Sequence, residues 1–435
     1  MIIAINKLTV LALLTLLVTF SSMSRTMPYR YIVSALLGVI AVTLGLTPLS
    51  KILDYIDLDV IGLIIGMSIM TVYIESSGLA RLAALLIERR VRRPSIITFL
   101  LSLVAGVISI ALENVTVVLI VAPIAFTIAS KRGIDPRPLI IGVALASNLA
   151  GSATMIGDPQ AIITAGYFKL SFGDFIVYNG KPSMFFFTLV AMILACLSLG
   201  MLSRKTSSQN TKSPSVSEEV DFDKAFIAET LIFLALKIAL LTLRGRLGIP
   251  LTLAAVVAVG GLSITRLVHR DLNNVVKAFK DGFEWRVALF LIGVFILSGA
   301  FVEQGLANDL ACILRTFSGG DLFILTSLLV WISVLASAFI DNIPYIATML
   351  PVIDGIHKML NVNAITLAWA LLLGATLGGN LTYIGASANV IAMRMLEKHG
   401  FRTSFMDFIR FSIPFNTISV LSGWLLYEIT WVLPS

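Results

Sequence analysis

Three carboxylates stand inside stretches that are otherwise apolar: Glu113, Asp158 and Asp341. Each has amides or hydroxyls beside it. Asn114 and Thr116 follow Glu113, Ser152 and Thr154 precede Asp158, and Asn342 follows Asp341. Asn380, Thr382, Ser387 and Asn389 form a fourth group that has no acid. All of these side chains offer oxygen ligands. An acid at bilayer depth costs about 2.5–3.5 kcal/mol on insertion scales, so it reads first as a functional group. Such a set can bind and release sodium or a proton beside a small solute. The ordinary alternatives are a helix cap or a fixed basic partner for Asp158, and stabilisation of free N–H groups at a turn for Glu113 and Asp341. Bond-breaking chemistry has no support. The chain has no His-Glu-x-x-His, no Gly-x-Ser-x-Gly and no phosphate loop ending in Gly-Lys-Ser/Thr. Asp158 and Asp341 sit in different contexts, which argues against an aspartyl protease. His269, His357 and His399 are scattered, so no resident metal or organic cofactor is expected.

The elements that must position these groups are membrane helices. Of 435 residues 57% are hydrophobic and only 13% charged, and the mean hydropathy is +0.96. A soluble domain carries about 25% charged residues. Apolar runs near the roughly 20 residues needed to cross a bilayer recur at about 8–23, 29–48, 59–78, 183–202, 226–243, 250–267, 286–304 and 410–432. Four longer regions, 95–130, 138–166, 319–358 and 363–396, are interrupted by polar or Gly/Pro-rich residues. Cys196 and Cys312 lie in apolar runs and are expected to be small buried residues. Lys7 followed by the apolar run 8–20 and three serines resembles a signal peptide; the reading adopted is an uncleaved first span.

The four interrupted regions are related. TMIGDPQAII (154–163) returns as TYIGASANVI (382–391), displaced by 228 residues. At the same offset Glu113-Asn114 matches Asp341-Asn342, Pro123 matches Pro351, Gly151 matches Gly379 and Gly157 matches Gly385; Glu75 likewise matches Glu303. A fixed register of polar residues marks a duplication. Each half is read as a re-entrant hairpin (95–130, 319–358) followed by a broken span (138–166, 363–396). Gly151, Gly157, Gly379 and Gly385 permit the breaks, and Pro159 suits the start of a half-helix. Non-helical backbone at membrane depth must face protein or a watery cavity. Paired broken helices in two halves point to a transporter's binding site.

The expected organisation is thus an all-α polytopic membrane protein of two inverted repeats, 1–202 and 225–435, joined by a Ser-rich cytoplasmic linker, 203–224. Five crossings in the first half invert the second. Of the 32 Lys and Arg residues, 23 then lie inside and 8 outside, with Lys237 in a span, as the positive-inside rule requires. Both termini fall outside. The net charge of +7 is therefore topological, and no nucleic-acid partner is expected. Glu75 and Glu303 read as interfacial, and Lys237 as snorkelling toward Arg244.

These motifs resemble the ion transporter superfamily, in particular the citrate-transporter-like branch holding arsenite permeases, NhaD-type sodium–proton antiporters and the P-protein of melanosomes. The residues that carry the resemblance are Gly151 through Pro159, Asp341-Asn342-Ile343-Pro344, and Gly378 through Asn389. The resemblance implies a scaffold and a mobile transport body in each subunit of a homodimer, elevator-like exchange, and sodium or proton coupling. It implies that Asn114, Ser152, Thr154, Asp158, Asn342, Asn380, Thr382, Ser387 and Asn389 form the site. There are departures. The dicarboxylate branch has Ser-Asn-Thr at both hairpin turns, whereas here they read Glu-Asn-Val and Asp-Asn-Ile, and neither break contains an Arg. Gln160-Ala161 stand where the branch often carries Pro-Asn. The leading expectation is an arsenite or related small-anion permease of the cell membrane. A sodium–proton antiporter is second, and a sodium-coupled dicarboxylate or citrate symporter third. A channel would not need two inverted broken helices, and an ATP-driven pump would draw on a separate ATPase partner.

Overall fold

The computed structural model describes residues 2–23, 29–79, 93–203 and 223–433. Residues 204–222, most of the expected linker, lie outside it, as do 24–28 and 80–92. The described chain is helical almost throughout. A two-residue β-hairpin, β1 (Val177–Tyr178) with β2 (Lys181–Pro182), is its one sheet.

The first half begins with α1 (Ile2–Met23), α2 (Arg30–Thr43), the short α3 (Ile52–Tyr55) and α4 (Leu58–Ser77). Then come α5 (Pro94–Ser109), α6 (Asn114–Arg132), α7 (Arg137–Ala150), α8 (Pro159–Tyr167) and α9 (Met184–Ser203). The second half has α10 (Lys224–Leu247), α11 (Leu251–Val268), α12 (Leu272–Gly282), α13 (Trp285–Glu303) and α14 (Leu306–Ser318). It continues with α15 (Leu322–Ser337), α16 (Asn342–Leu360), α17 (Ala364–Gly378), α18 (Ser387–Lys398) and α19 (Phe405–Tyr427), which ends in a π-turn, Glu428–Val432. Among the described residues, six segments are long and apolar enough to cross a membrane by length and composition.

The span expected at 29–48 is shorter than read: α2 stops at Thr43, and the chain turns at Gly45 with φ +69°. Besides the one-turn α3, two helices have no counterpart in the apolar runs, α12 and α14. Both are amphipathic, each with few buried positions, and they fill the gaps between spans. Cys196 is buried as expected; Cys312, on the open face of α14, is exposed.

Two groups of helices emerge from the packing. In the first, α4 packs on α11, and α2 packs on α13. Shifted by 228 residues, α4 corresponds to α13 and α2 to α11, so each repeat lends a helix to the other. The contacts are close. A Cβ on Gly66 would lie 2.4 Å from the Ala255 Cβ, and one on Gly293 would lie 2.3 Å from the Ser34 carbonyl. Asp59 locks the first pair by accepting the Leu251 and Thr252 amides, each at 2.7 Å. The exchange extends to the small elements: α12 rests on α4 as its counterpart α3 rests on α13.

The second group holds the hairpins and breaks. The legs α5 and α6 join through a four-residue tip, and α15 and α16 join through another. At 1.5 Å per residue, the 16 residues of α5 or α15 rise about 24 Å, short of a 30 Å hydrocarbon core. The helices α7 and α17 lie between these legs and are buried on nearly every side. A helix apolar all round belongs in a core, and its Gly- and Asn-rich end is thereby shielded from lipid. The helix α9 packs on α5 and α19 to close the group.

Candidate functional site

The duplication is visible in the backbone of the breaks. Thr154 donates to the Ile110 carbonyl at 2.6 Å, and Thr382 donates to the Ala338 carbonyl at 2.5 Å. Both partners obey the 228-residue shift, so each Thr ties a break to its own hairpin tip. The glycines obey it too. A Cβ at Gly157 would meet the Gly151 and Ser109 carbonyls at 2.2 and 2.7 Å. A Cβ at Gly385 would meet those of Gly379 and Ser337 at 2.5 and 3.0 Å. Space, not a left-handed backbone, requires glycine at both positions. Asp158 (φ −136°, ψ 144°) and Ala386 (φ −140°, ψ 143°) have the same backbone conformation at the start of α8 and α18. The difference between them is a carboxylate.

That carboxylate does none of its ordinary jobs. Asp158 occupies the N-cap position of α8 yet makes no cap hydrogen bond. It is buried, at 4% exposure, and has no hydrogen-bond or ion-pair partner among the described residues. Gly151 makes room for it, since a Cβ there would lie 2.3–2.7 Å from its carboxyl atoms. Glu113 likewise sits at the N-cap of α6 without a cap bond, and it lines the same cavity as Asp158. Asp341 differs. It accepts the Ile343 amide at 3.1 Å and pairs with Arg30 at 3.5 Å, so part of its role is to cap α16.

One cavity gathers these groups. It is bounded by both hairpin tips (Glu113, Asn114, Asp341, Asn342), both breaks (Gly157, Asp158, Gly385, Ser387) and the middle of α4 (Ile64, Met67, Ser68, Thr71). Asn148 and Gln160 reach it from the centre. Two charged residues that sequence reasoning missed also line it, Arg30 at the start of α2 and Glu284 just before α13. The absence of Arg from both breaks is real, but the site still receives a guanidinium. It arrives from the other group of helices and rests over the Phe290 ring.

Thr154, Thr382 and the four break glycines, Gly151, Gly157, Gly379 and Gly385, shape the breaks, and of these only Gly157 and Gly385 reach the cavity. Thr116 lies one turn into α6 and does not line the cavity. Asn380, Ser152 and Asn389 are buried behind the cavity lining. Asn114 donates to Asn148 at 3.1 Å, Asn148 donates to Asn380 at 3.0 Å, and Asn380 donates to the Leu145 carbonyl at 2.8 Å. Asn389 donates to the Gly379 carbonyl at 3.2 Å. Under the repeat shift the Asn148–Asn380 pair maps onto Thr376 and Ser152. Those two hydroxyls are bridged by Gln160, which donates to Ser152 at 2.8 Å and to Thr376 at 3.1 Å. Gln160 is therefore a clasp between the two breaks. Ser337 donates to Asn342 and to the Ala375 carbonyl, fixing the second tip.

Lys237 also departs from expectation. It does not snorkel: it is fully buried, and its ammonium lies against the Met67 thioether. Glu303, at the end of α13, is bonded to Lys51 at 2.8 Å and Tyr55 at 2.5 Å.

Comparison with known proteins agrees with this architecture. A family model described as citrate transporter matches residues 10–374. An uncharacterized transporter of Mycobacterium tuberculosis is 31% identical over 386 residues, which span 86% of this chain and 87% of that protein. The P protein of Mus musculus is 26% identical, across 96% of this chain and 59% of the mouse protein. The solved YdaH transporter of Alcanivorax borkumensis superposes with a TM-score of 0.61 at 15% identity, covering 98% of each chain. MtrF of Neisseria gonorrhoeae superposes with a TM-score of 0.59 at 14% identity, over 86% of this chain and 81% of its own. At such identities these two structures speak to the fold alone.

Proposed function

The chain belongs to the citrate transporter family of the ion transporter superfamily, a multi-pass cell-membrane transporter, and from that premise we propose an ion-coupled secondary carrier of a small inorganic solute. The observation that carries this reading is the charge of the cavity. Four carboxylates (Glu113, Asp158, Asp341, Glu284) face one guanidinium, Arg30. Such a lining attracts cations, admits neutral hydroxides and repels free di- and tricarboxylates. Arsenite, as neutral arsenous acid, fits it as the solute, with sodium or a proton held beside Asp158 and Glu113 as the coupling ion. Sodium–proton exchange is the second reading, because it uses the same two unpartnered acids. A citrate-like anion is favoured by Arg30 and by the family's description, yet it would have to enter against the excess negative charge.

Elevator-like exchange is the mechanism we propose, within a homodimer whose two repeats are inverted in the membrane. The two helix groups support the first part. The reciprocal pairs α4/α11 and α2/α13 form a frame, and the hairpins and breaks form a separate body. That body docks unevenly. The second hairpin is fastened to the frame where Ser298 donates to the Ala347 carbonyl at 2.7 Å. The equivalent positions on the first hairpin side are Met70 and Leu119, and Leu119 is 49% exposed. An uneven arrangement of two like halves is what one end-state of an alternating cycle looks like.

The test is a side-by-side flux measurement on protein reconstituted in vesicles: arsenite uptake, sodium-driven proton movement and citrate uptake. Arsenite or sodium–proton flux above empty vesicles supports the proposal. Citrate uptake with neither of the others contradicts it.

A further inference from the structure

Lys237 is the one lysine buried completely among the described residues. It stands in the middle of α10, a helix whose buried face is a single stripe of Phe226, Thr230, Leu234, Lys237 and Leu241. The other faces of α10 carry exposed Leu231, Ile232, Leu236 and Leu243. A lysine that merely tolerated the membrane would sit on those faces and reach outward. This one points to the frame's interior, where a leucine or methionine would fill the space without an ionisable group.

Every charged or titratable group on the elements around it is engaged elsewhere or distant along the helix. On α4, Asp59 is held by the Leu251 and Thr252 amides, Tyr73 bonds Ser263 at 2.8 Å, and Glu75 is exposed at the helix end. On α11, Arg266 gathers Asp223, Glu229 and Asp271. On α10 itself, Arg244 donates to the Leu170 carbonyl, and Glu229 belongs to the Arg266 cluster. In the neighbouring loop, Asp174 is bound by Ser171. The ammonium meets only the Met67 thioether, a weak acceptor. Met67 is itself part of the cavity wall. One flexible side chain thus separates Lys237 from the chamber that holds Asp158, Glu113 and Glu284.

We propose that Lys237 is a proton-carrying group of the transport cycle, in communication with the cavity past Met67. When the cavity is open to water and lacks a bound cation, Lys237 is the ammonium and offsets the cavity acids. When a cation settles beside Asp158, Lys237 releases its proton to cavity water and stays as the neutral amine; it regains a proton when the cation leaves. No intramembrane anion is needed to hold it, because its charge is temporary. The four-carbon stem and the unbranched methionine leave both side chains mobile. The proposal rests on the reading of the cavity as the coupling site, and its test separates the two.

The test uses the full chain in detergent, with lysines reductively methylated by carbon-13 formaldehyde, and follows the dimethyl-lysine signals by NMR. The Lys237 signal is the one missing from Lys237→Met. The expected result is a signal that titrates with pH and whose midpoint shifts when sodium replaces choline; in Asp158→Asn the sodium response is lost. A Lys237 amine that is never methylated, or whose signal is indifferent to pH and to sodium, overturns the proposal. Melting of Lys237→Met at or above wild type is also expected; a marked fall would make Lys237 a packing residue and count against it. In vesicles, Lys237→Met loses the pH dependence of proton flux that wild type shows. If wild type shows no ion-linked flux, the coupling reading fails, and the NMR result still judges Lys237.

Discussion

Replacing Gly157 by alanine asks whether the breaks are built as described. The added Cβ would stand 2.2 Å from the Gly151 carbonyl oxygen and 2.7 Å from that of Ser109. Carbon–oxygen contacts of this kind settle at about 3.3–3.6 Å, so the overlaps are about 1.1 and 0.6 Å at the least. Both obstacles are backbone, one in the break and one at the end of α5, so no rotamer relieves them. Gly385→Ala meets the equivalent atoms at 2.5 and 3.0 Å, overlaps of about 0.8 and 0.3 Å on the same scale. Overpacking a core costs about 1–3 kcal/mol. Gly157→Ala belongs at about 3 kcal/mol or beyond and Gly385→Ala at about 2 kcal/mol on that scale. Gly260→Ala in α11 is the control: nothing lies within 4 Å of its Cβ, and the exchange should gain about 0.5–1 kcal/mol of helix propensity. The assay is thermal unfolding of purified protein followed by tryptophan fluorescence. The expected order of melting temperature is Gly260→Ala at or above wild type, then Gly385→Ala, then Gly157→Ala. A Gly157→Ala protein that melts with wild type, or above Gly385→Ala, would refute the geometry of the breaks.

Other outcomes follow from the same structure. The symmetry between the Ser298–Ala347 contact and its counterparts predicts that Met70→Cys and Leu119→Cys, made together, cross-link in the opposite end-state; failure to cross-link during turnover contradicts the exchange. Single cysteines at Lys131 and Lys358, at the bases of the two hairpins, should react with impermeant reagents from opposite sides of the membrane. The tips would not report this, since Asn114 and Asn342 share one cavity; reaction of both bases from one side would refute the inversion. At the start of α10, the bonds that Asp223 accepts, that from the Phe226 amide foremost, hold its carboxyl below the usual carboxylate range. A carboxyl lowered by folding stabilises the protein above its ordinary titration range, and that contribution is lost as pH falls through the folded value. Wild type should therefore lose more melting temperature on acidification than Asp223→Asn, and equal losses would refute the assignment.

The repeat and its breaks were legible because they depend on local chemistry. Glycine, proline and polar side chains recur at 228 residues, and the Thr154 and Thr382 bonds keep that register in space. What escaped the sequence was tertiary. Arg30 and Glu284 lie far from the motifs, and only the packing of α2 against α13 brings them to the cavity. The bridging role of Gln160 is illegible in the sequence, because its partners Ser152 and Thr376 belong to different breaks. The burial of Lys237 is illegible for another reason. The helix α10 is apolar on every side, so its pattern does not say which face is buried. The amphipathic α12 and α14 are too short and polar to register as spans. The asymmetry between Asp158 and Ala386 is legible in the sequence, but that Asp158 has no cap bond and no partner among the described residues is visible only in the folded chain.

The claim at the centre is that Asp158 binds the coupling ion in a cavity shared by the two repeats. The most direct test is solute flux through reconstituted Asp158→Asn beside wild type, with and without an imposed sodium or proton gradient. Asparagine keeps the side chain's shape in the space left by Gly151 and removes the charge. The account predicts that wild-type flux rises with the gradient, whereas the variant folds, melts at or above the wild-type temperature and no longer responds. Gradient-driven flux through Asp158→Asn equal to that of wild type would contradict it.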